Sequence, residues 1–376
     1  MSKAAELAAL IGSQTALSPS RNFIINGGMR IAQRGTSLSS ITGTSIFLID
    51  RWKIDEVADS TLTMSQETLT SGAAFDAGLN HSLKVLVTTA DTSIGSSQSV
   101  QLTQPVEAQN LQTLKFGSSG AKNLTLSFYY KSNVTGIHTV CIDKSDTTRA
   151  TCPIEFTVSS ANTWERYILK AVANSAVQAS SGAIANDNGQ GFRVMWGLAY
   201  GSDYQSGTSG TWEQNGTASF STSNQQNIVG AADNYIEVTG VQLEVGDVAT
   251  AFEHEDFGTT IAKCQRYYQK TFPYGTAPAQ NAGTNGSIVA VSSGTGTAPN
   301  RALSYHWAFP VVMRTAPTTT TFNTSATNAN WYTMPTGGSV AASILYATDS
   351  GINITNNATT TDNYAYRIQA TVDAEL

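Results

Sequence analysis

Between Asn22 and about Val248 apolar side chains recur at every second residue, in one short run after another. An extended chain points successive side chains to opposite faces, so a two-residue period describes a strand with one buried face. Leu124, Leu126, Phe128 and Tyr130 stand against Thr125, Ser127 and Tyr129. Phe192, Val194, Trp196, Leu198 and Tyr200 repeat the pattern, and Leu83, Val85 and Val87 with Val100 and Leu102 give shorter versions. Gly, Ser and Asn punctuate the runs, which is the signature of an antiparallel sandwich. No repeat of 20–50 residues is present, which argues against a propeller or a parallel β-helix.

The pattern changes at three places. Ile236 and Val238 are even-numbered while Val241, Leu243 and Val245 are odd, so parity switches at Gly240 and predicts a bulge or a change of sheet. From Thr259 to Thr271 the period becomes helical, with Ile261, Cys264 and Tyr268 on one side and Tyr267 flanking, which predicts a short helix or turn. Alternation then resumes in Leu303, Tyr305, Trp307 and Phe309, and again in Tyr364, Tyr366, Ile368, Ala370 and Val372. The expected organisation is an all-β chain: a sandwich over residues 21–257, a helical connector over 258–271 and a smaller β domain over 272–376.

Residues 1–20 are different in kind. Ala4, Leu7, Ala8 and Ile11 form one narrow apolar stripe, with Ser2 as N-cap and Gly12 at the end, followed by a polar linker. A lone helix of about 12 residues is marginal in water. It needs a partner: another protein, a second copy of itself or its own domain.

Charged residues make up only 13% of the chain, with a net charge of −6. Ser, Thr, Asn, Gln and Ala take their place, so the surface is neutral and hydrogen-bonding. A sequence pI near 5.2 offers no field for a phosphate backbone, which argues against nucleic acid as partner. No apolar run reaches the ~18–20 residues of a membrane span. The first residues lack a secretory apolar core, which predicts folding in a cytoplasm with reduced thiols. Cys141 and Cys152 either pair across a hairpin or are two small strand residues.

Catalytic motifs are missing: there is no G-x-S-x-G, no phosphate-binding glycine loop and no C-x-x-C. His81, His138, His254 and His306 are far apart, so neither a metal nor a cofactor is expected. Glu253, Glu255 and Asp256 around His254 read either as an acid–base cluster or as a solvated turn. Asn186–Gly189 reads either as an oxygen-rich calcium loop or as a plain turn. The aromatic residues carry more information, because flat rings stack on sugar faces while amides and hydroxyls bond sugar hydroxyls. Trp52, Trp164 and Trp196 sit in alternating runs and are expected in the core. Trp212, Trp331 and Tyr332 fall in Gly/Ser/Thr/Asn-rich stretches with no strand face to explain them, and are the candidate glycan-binding rings.

One series of motifs is distinctive: Asn22-Phe-Ile-Ile-Asn-Gly-Gly28, Ile31-Ala-Gln-Arg-Gly-Thr-Ser37 and Asp50-Arg-Trp52, then Leu124–Ser132, Asn162–Glu165, Thr239–Gly246, Ala251–His254 and Cys264–Lys270. In this order they resemble a group of bacteriophage tail-fibre and virion structural proteins with a carbohydrate-binding-module-like jelly roll. The resemblance covers residues 22–270. It implies an antiparallel jelly-roll sandwich, a non-enzymatic role and a virion location after assembly in the host bacterial cytoplasm. Implied partners are other proteins of tail or capsid, a host cell-surface glycan and two further copies in a homotrimer. On this reading Ala4, Leu7, Ala8 and Ile11 attach the protein to the particle, and the distal β domain binds the glycan through Trp331 and Tyr332. The alternatives are a capsid decoration, cement or head-fibre protein, and a glycan-cleaving enzyme. Arg34, Asp50 and Arg51 are expected to pin a loop to the sandwich.

Overall fold

A computed structural model describes residues 21–214, 219–294 and 302–376. The expected attachment helix, with Ala4, Leu7, Ala8 and Ile11, lies outside these residues. The first twelve strands are β1 (Ser37–Ile41), β2 (Ile46–Phe47), β3 (Lys53–Val57), β4 (Thr61–Thr68), β5 (His81–Thr89), β6 (Ser99–Glu107), β7 (Leu124–Ser132), β8 (Gly136–Lys144), β9 (Ala150–Val158), β10 (Glu165–Ala171), β11 (Gln190–Tyr200) and β12 (Tyr235–Val245). They form two six-stranded antiparallel sheets, β1-β4-β5-β12-β7-β10 and β2-β3-β6-β11-β8-β9. The chain crosses repeatedly from one sheet to the other, as in a jelly-roll sandwich.

The alternating runs fill the space between the sheets. Leu124, Leu126, Phe128 and Tyr130 face Val194, Trp196, Ile142 and Phe156 in one continuous cluster. Trp52 and Trp196 meet at its centre with ring centroids 5.5 Å apart, and Phe128 stands edge-on to Trp196 at 5.4 Å. Trp164 departs from expectation. It is half-buried on the outer side, beside Leu69 and Leu79, with the Lys131 ammonium 5.0 Å from its ring.

The parity switch is a bulge. The β12–β7 register slips between Thr239 and Gln242, and Gly240 between them has φ +61°. A Cβ there would lie 2.7 Å from Leu79 and 2.9 Å from Tyr129. The opening motif locks onto this bulge. Asn22 donates its amide to the Val241 carbonyl at 2.9 Å and accepts from Leu243 N–H at 3.0 Å. Gly27 passes so close to Val241 that no side chain fits between them. A second slip, between Gly197 and Ala199 in β11, was not expected. It turns Tyr200 out of the central core and into a satellite cluster with Cys141, Met195 and Phe220.

Cys141 and Cys152 are free thiols. Cys141 stands opposite Pro153 and Cys152 opposite Ile142, one register step apart. They therefore point to opposite faces of the same sheet, and burial pushes the Cys152 thiol up to about 12.

A helix, Phe257–Gln265, starts on the Asp256 carboxylate and leads directly into β13 (Tyr268–Lys270). The smaller β domain continues with β14 (Ile288–Val291), β15 (Ser304–Ala308), β16 (Thr318–Phe322), β17 (Trp331–Thr333), β18 (Ser339–Val340), β19 (Ala342–Leu345), β20 (Gly351–Asn356) and β21 (Ala365–Asp373). The expected alternation makes β21 its centre: Tyr366, Ile368, Ala370 and Val372 are all buried, and β13, β14, β16 and β17 pair with it. Around β15 the expected buried face holds for Leu303, just before the strand, but not for Tyr305, which is exposed.

Arg34, Asp50 and Arg51 hold more than a loop. Arg34 pairs with Asp50 at 3.3 Å, but also with Asp373 at 2.9 Å and Glu375 at 3.3 Å. Arg51, almost fully buried, pairs with Glu375, donates to the Pro105 carbonyl at 2.7 Å and covers the Tyr267 ring at 3.5 Å. Nearby, Glu107 accepts from Arg266 at 2.6 and 2.9 Å and from the Tyr267 hydroxyl at 2.7 Å. Burial opposes its ionisation, yet these bonds hold its carboxyl below the usual range. Arg314 bonds the carbonyls of Ala374 and Glu375 and exchanges hydrogen bonds with Asn188. The Asn186–Gly189 turn thus docks the smaller domain.

Candidate functional site

Two concavities bear on function. The first, about 170 Å³, lies under the opening motif and is lined by Asn22, Arg30, Leu79, Phe252, Glu253 and His254 among others. Its polar groups are committed to the fold. Glu253 accepts from the backbone N–H of Arg21 and Asn22, both at 3.1 Å. His254 donates through Nε2 to the Ala77 carbonyl at 3.0 Å. Arg30 bonds the Glu255 carbonyl at 3.0 Å, and the Glu255 carboxylate pairs with Lys263. Asp256 accepts from the Thr259 hydroxyl and N–H, and these bonds hold it below the usual carboxylate range. The acidic run around His254 therefore seats the chain entry and starts the helix.

The second concavity is a cleft of about 320 Å³ at the end of β11. Three segments meet there: the approach to β6 with Ile94 and Ser96, the exit from β11 with Tyr200, Ser202 and Gln205, and the run Gln225-Gln226-Asn227. The slip in β11 builds its floor. Gly197 has no Cβ, which leaves room for the Tyr200 ring; a Cβ would lie 2.3 Å from that ring. The Tyr200 hydroxyl is fixed by Gln101 at 2.8 Å. Gly201 lies so close to Gly95 and Ser96 that a Cβ would meet the Gly95 carbonyl oxygen at 2.0 Å. Its N–H bonds the Gln98 carbonyl at 2.8 Å, and Asp203 N–H bonds the Ser96 carbonyl at 3.0 Å. These contacts brace two walls against each other. Among the described residues the lining holds four side-chain amides and no Lys, Arg, His, Asp or Glu.

The candidate rings fare differently. Trp212 is buried, edge-on to Phe116 at 5.5 Å and near Phe192, because its loop folds over the end of the sandwich. Trp331 is fully buried and donates its indole N–H to the Thr355 carbonyl at 3.1 Å. It belongs to a strand of three residues, too short to show a period, and it fills the smaller core. Neither ring offers a face to a sugar. Tyr332, next along the same strand, points the other way and is half-buried, with the Arg367 guanidinium 4.6 Å over its ring. The structure does not bring these three rings together. The cleft was not anticipated; the run Gln225-Gln226-Asn227 was its one local signal, and it resembles many polar turns.

The fold is thus an antiparallel jelly-roll sandwich with a smaller β domain, and its open concavity is an uncharged amide-lined cleft. No protein-family model matches the sequence, and no curated protein matches it. Among solved structures it is similar to the enzymatically active domain of bacteriophage CBA120 tailspike protein 4, at 12% identity over 61% of this chain and 22% of that one, TM-score 0.32. A carbohydrate-binding module of family 4 is similar at 12% identity, 60% of this chain and 100% of that one, TM-score 0.30. The family 11 module from Clostridium thermocellum, in complex with a mixed-linked tetrasaccharide, is similar at 12% identity, 58% and 99% coverage, TM-score 0.26. The chain aligns with about a fifth of the tailspike's length. What each of those proteins binds is a property of that protein.

Proposed function

We propose that this chain is a non-catalytic bacteriophage virion protein, a tail fibre or similar appendage, that holds a host surface glycan in the cleft of its jelly roll. One observation carries the binding half: a cleft of about 320 Å³ lined, among the described residues, by four amides and no charged side chain. Its volume falls within the range of small-ligand sites. Sugar hydroxyls pair with amides without the desolvation cost of an ion. Glycoside cleavage needs two carboxyl groups astride the scissile bond, and no acid lines the cleft. The virion half rests on the ordered motifs of residues 22–270.

On this proposal residues 1–20 attach the protein to the particle and the chain assembles as a homotrimer. Single sites are weak, with Kd about millimolar to high micromolar, and several copies raise the avidity. The test is a glycan array probed with the full chain, followed by titration calorimetry on each binder. Binding that weakens at least tenfold in Asn227→Ala supports the reading. An empty array, or binding indifferent to the cleft variant, refutes the glycan half. Antibody labelling of whole particles tests the virion half, which fails if purified virions lack the chain.

A further inference from the structure

The hydrogen-bonding capacity of the cleft is used unevenly. Gln205 donates its amide N–H to the Tyr200 carbonyl at 2.6 Å. Gln225 donates to the carbonyls of Gly197 and Gln226 at 2.9 and 3.1 Å. Asn227 donates to the Asp91 carbonyl at 3.1 Å. Each partner is a backbone carbonyl, which only accepts, so the nitrogen end of each amide is fixed toward the protein. The three side-chain oxygens are left without donors. Gln225 Oε1 is buried, out of a ligand's reach, which leaves the oxygens of Gln205 and Asn227 as the acceptors open to one. The Ser96 hydroxyl is engaged with Asp203 at 3.2 Å. Among the described residues the side-chain donors left over are the Gln226 amide, the Ser202 hydroxyl and the second amide N–H of Gln205 and of Asn227.

Resting on the glycan reading, we infer that the cleft selects a neutral, hydroxyl-rich saccharide and rejects one that carries a carboxylate, sulfate or phosphate on the bound residue. The wall offers acceptors beside donors and no cation, and a hydroxyl, which both donates and accepts, matches it. An acidic group brings acceptors and a negative charge to a lining without a cation, and loses its water without compensation.

The experiment uses the full chain at pH 7.5 in low salt, where any charge effect is largest. Three forms of each array binder are titrated: the neutral oligosaccharide, its O-methylated form and the matching oligouronate. The expected result is at least tenfold weaker binding of the uronate, loss of binding on O-methylation, and at least tenfold weakening of the neutral form in Gln226→Leu, which removes an exposed amide with no partner among the described residues. Asn227→Ala on the exposed loop serves as the second variant, with its melting measured beside its binding because Asn227 also bonds the Asp91 carbonyl. A uronate bound as tightly as the neutral form, or a methylated form bound unchanged, overturns the inference while the glycan reading stands if both variants still weaken binding. Failure of every form to bind, or indifference to both variants, overturns both.

Discussion

Replacing Glu375 by Gln keeps the side chain's shape and removes its charge. Glu375 is 5% exposed and pairs with Arg51, which is 1% exposed, and with Arg34, which is 11% exposed. Breaking a buried pair leaves an uncompensated charge at a cost of about 3–5 kcal/mol, against about 0–1 kcal/mol for a surface pair. The cluster contains three carboxylates, Asp50, Asp373 and Glu375, against two guanidiniums. Burial foremost, with Glu375 adding to it, pushes Asp50 up to about 6. Removing Glu375 relieves its repulsion of Asp50, and Arg34 keeps Asp50 and Asp373 as partners, which places the loss near the lower limit, about 3 kcal/mol. At roughly 2–4 °C per kcal/mol for domains of this size, the melting temperature should fall by about 6–12 °C. Calorimetry at pH 7.5 reads it, with Lys263→Gln, from the more exposed Glu255 pair, as comparison at under about 1 kcal/mol. The shift should persist in 0.5 M salt, because screening acts on exposed charges. A Glu375→Gln loss no larger than that of the comparison, or one that vanishes in salt, would refute the buried-lock account.

His138 is held neutral, its Nε2–H donating to the Val134 carbonyl at 3.0 Å and Nδ1 accepting from the Tyr130 hydroxyl at 2.8 Å; burial lowers it to about 4. Its folded value lies below its unfolded one, so its contribution is present above about pH 6.5 and lost as pH falls toward 4, about 3 kcal/mol in all. Asp50 runs the other way, its contribution present below about pH 4 and lost as pH rises through 6. Wild-type melting should therefore be flat between pH 4 and 6.5, while His138→Gln should lose the His138 component and become more stable toward acid; a sloping wild type with an unchanged variant slope counts against this. Gly240→Ala should cost about 2–4 kcal/mol through its positive φ and the contacts with Leu79 and Tyr129; near-neutral melting would mean that the bulge rearranges freely. Trp331→Ala should cost about 3–5 kcal/mol and Tyr332→Ala under about 1 kcal/mol, read by denaturant unfolding; equal effects would mean the two rings share one environment.

The strands of the sandwich were legible because each has one buried face and enough residues to show a period. The Gly240 bulge was legible for the same reason: it interrupts a long run, so the parity change is visible on both sides. The slip at Gly197–Ala199 escaped because Tyr200 is the last residue of its strand and nothing follows to reveal the new parity. Trp331 and Trp212 were misplaced because composition marks a segment as a loop but not what the loop covers; both fold inward over a core. Arg34, Asp50 and Arg51 were read as charge-assisted pins, yet their partners Asp373 and Glu375 lie more than three hundred positions away, a separation no local pattern encodes. The cleft draws its amides from two separate segments, and its property depends on which end of each amide is spent.

The lock also has a mechanical consequence. The two β domains are joined covalently through the helix Phe257–Gln265 and β13, and a second time by a clasp in which Arg34 and Arg51 grip Asp373 and Glu375 while Arg314 and Asn188 exchange hydrogen bonds. A body held at one point swings; a body held at two is a bracket. Tension applied through the smaller domain is shared between the peptide chain and the ionic clasp, and the clasp must shear before the domains pivot. Pulled singly in an optical trap, the chain should show a small early rip as the clasp parts, followed by the larger rips of the two β domains, and Glu375→Gln should lower the force of the first and spare the rest.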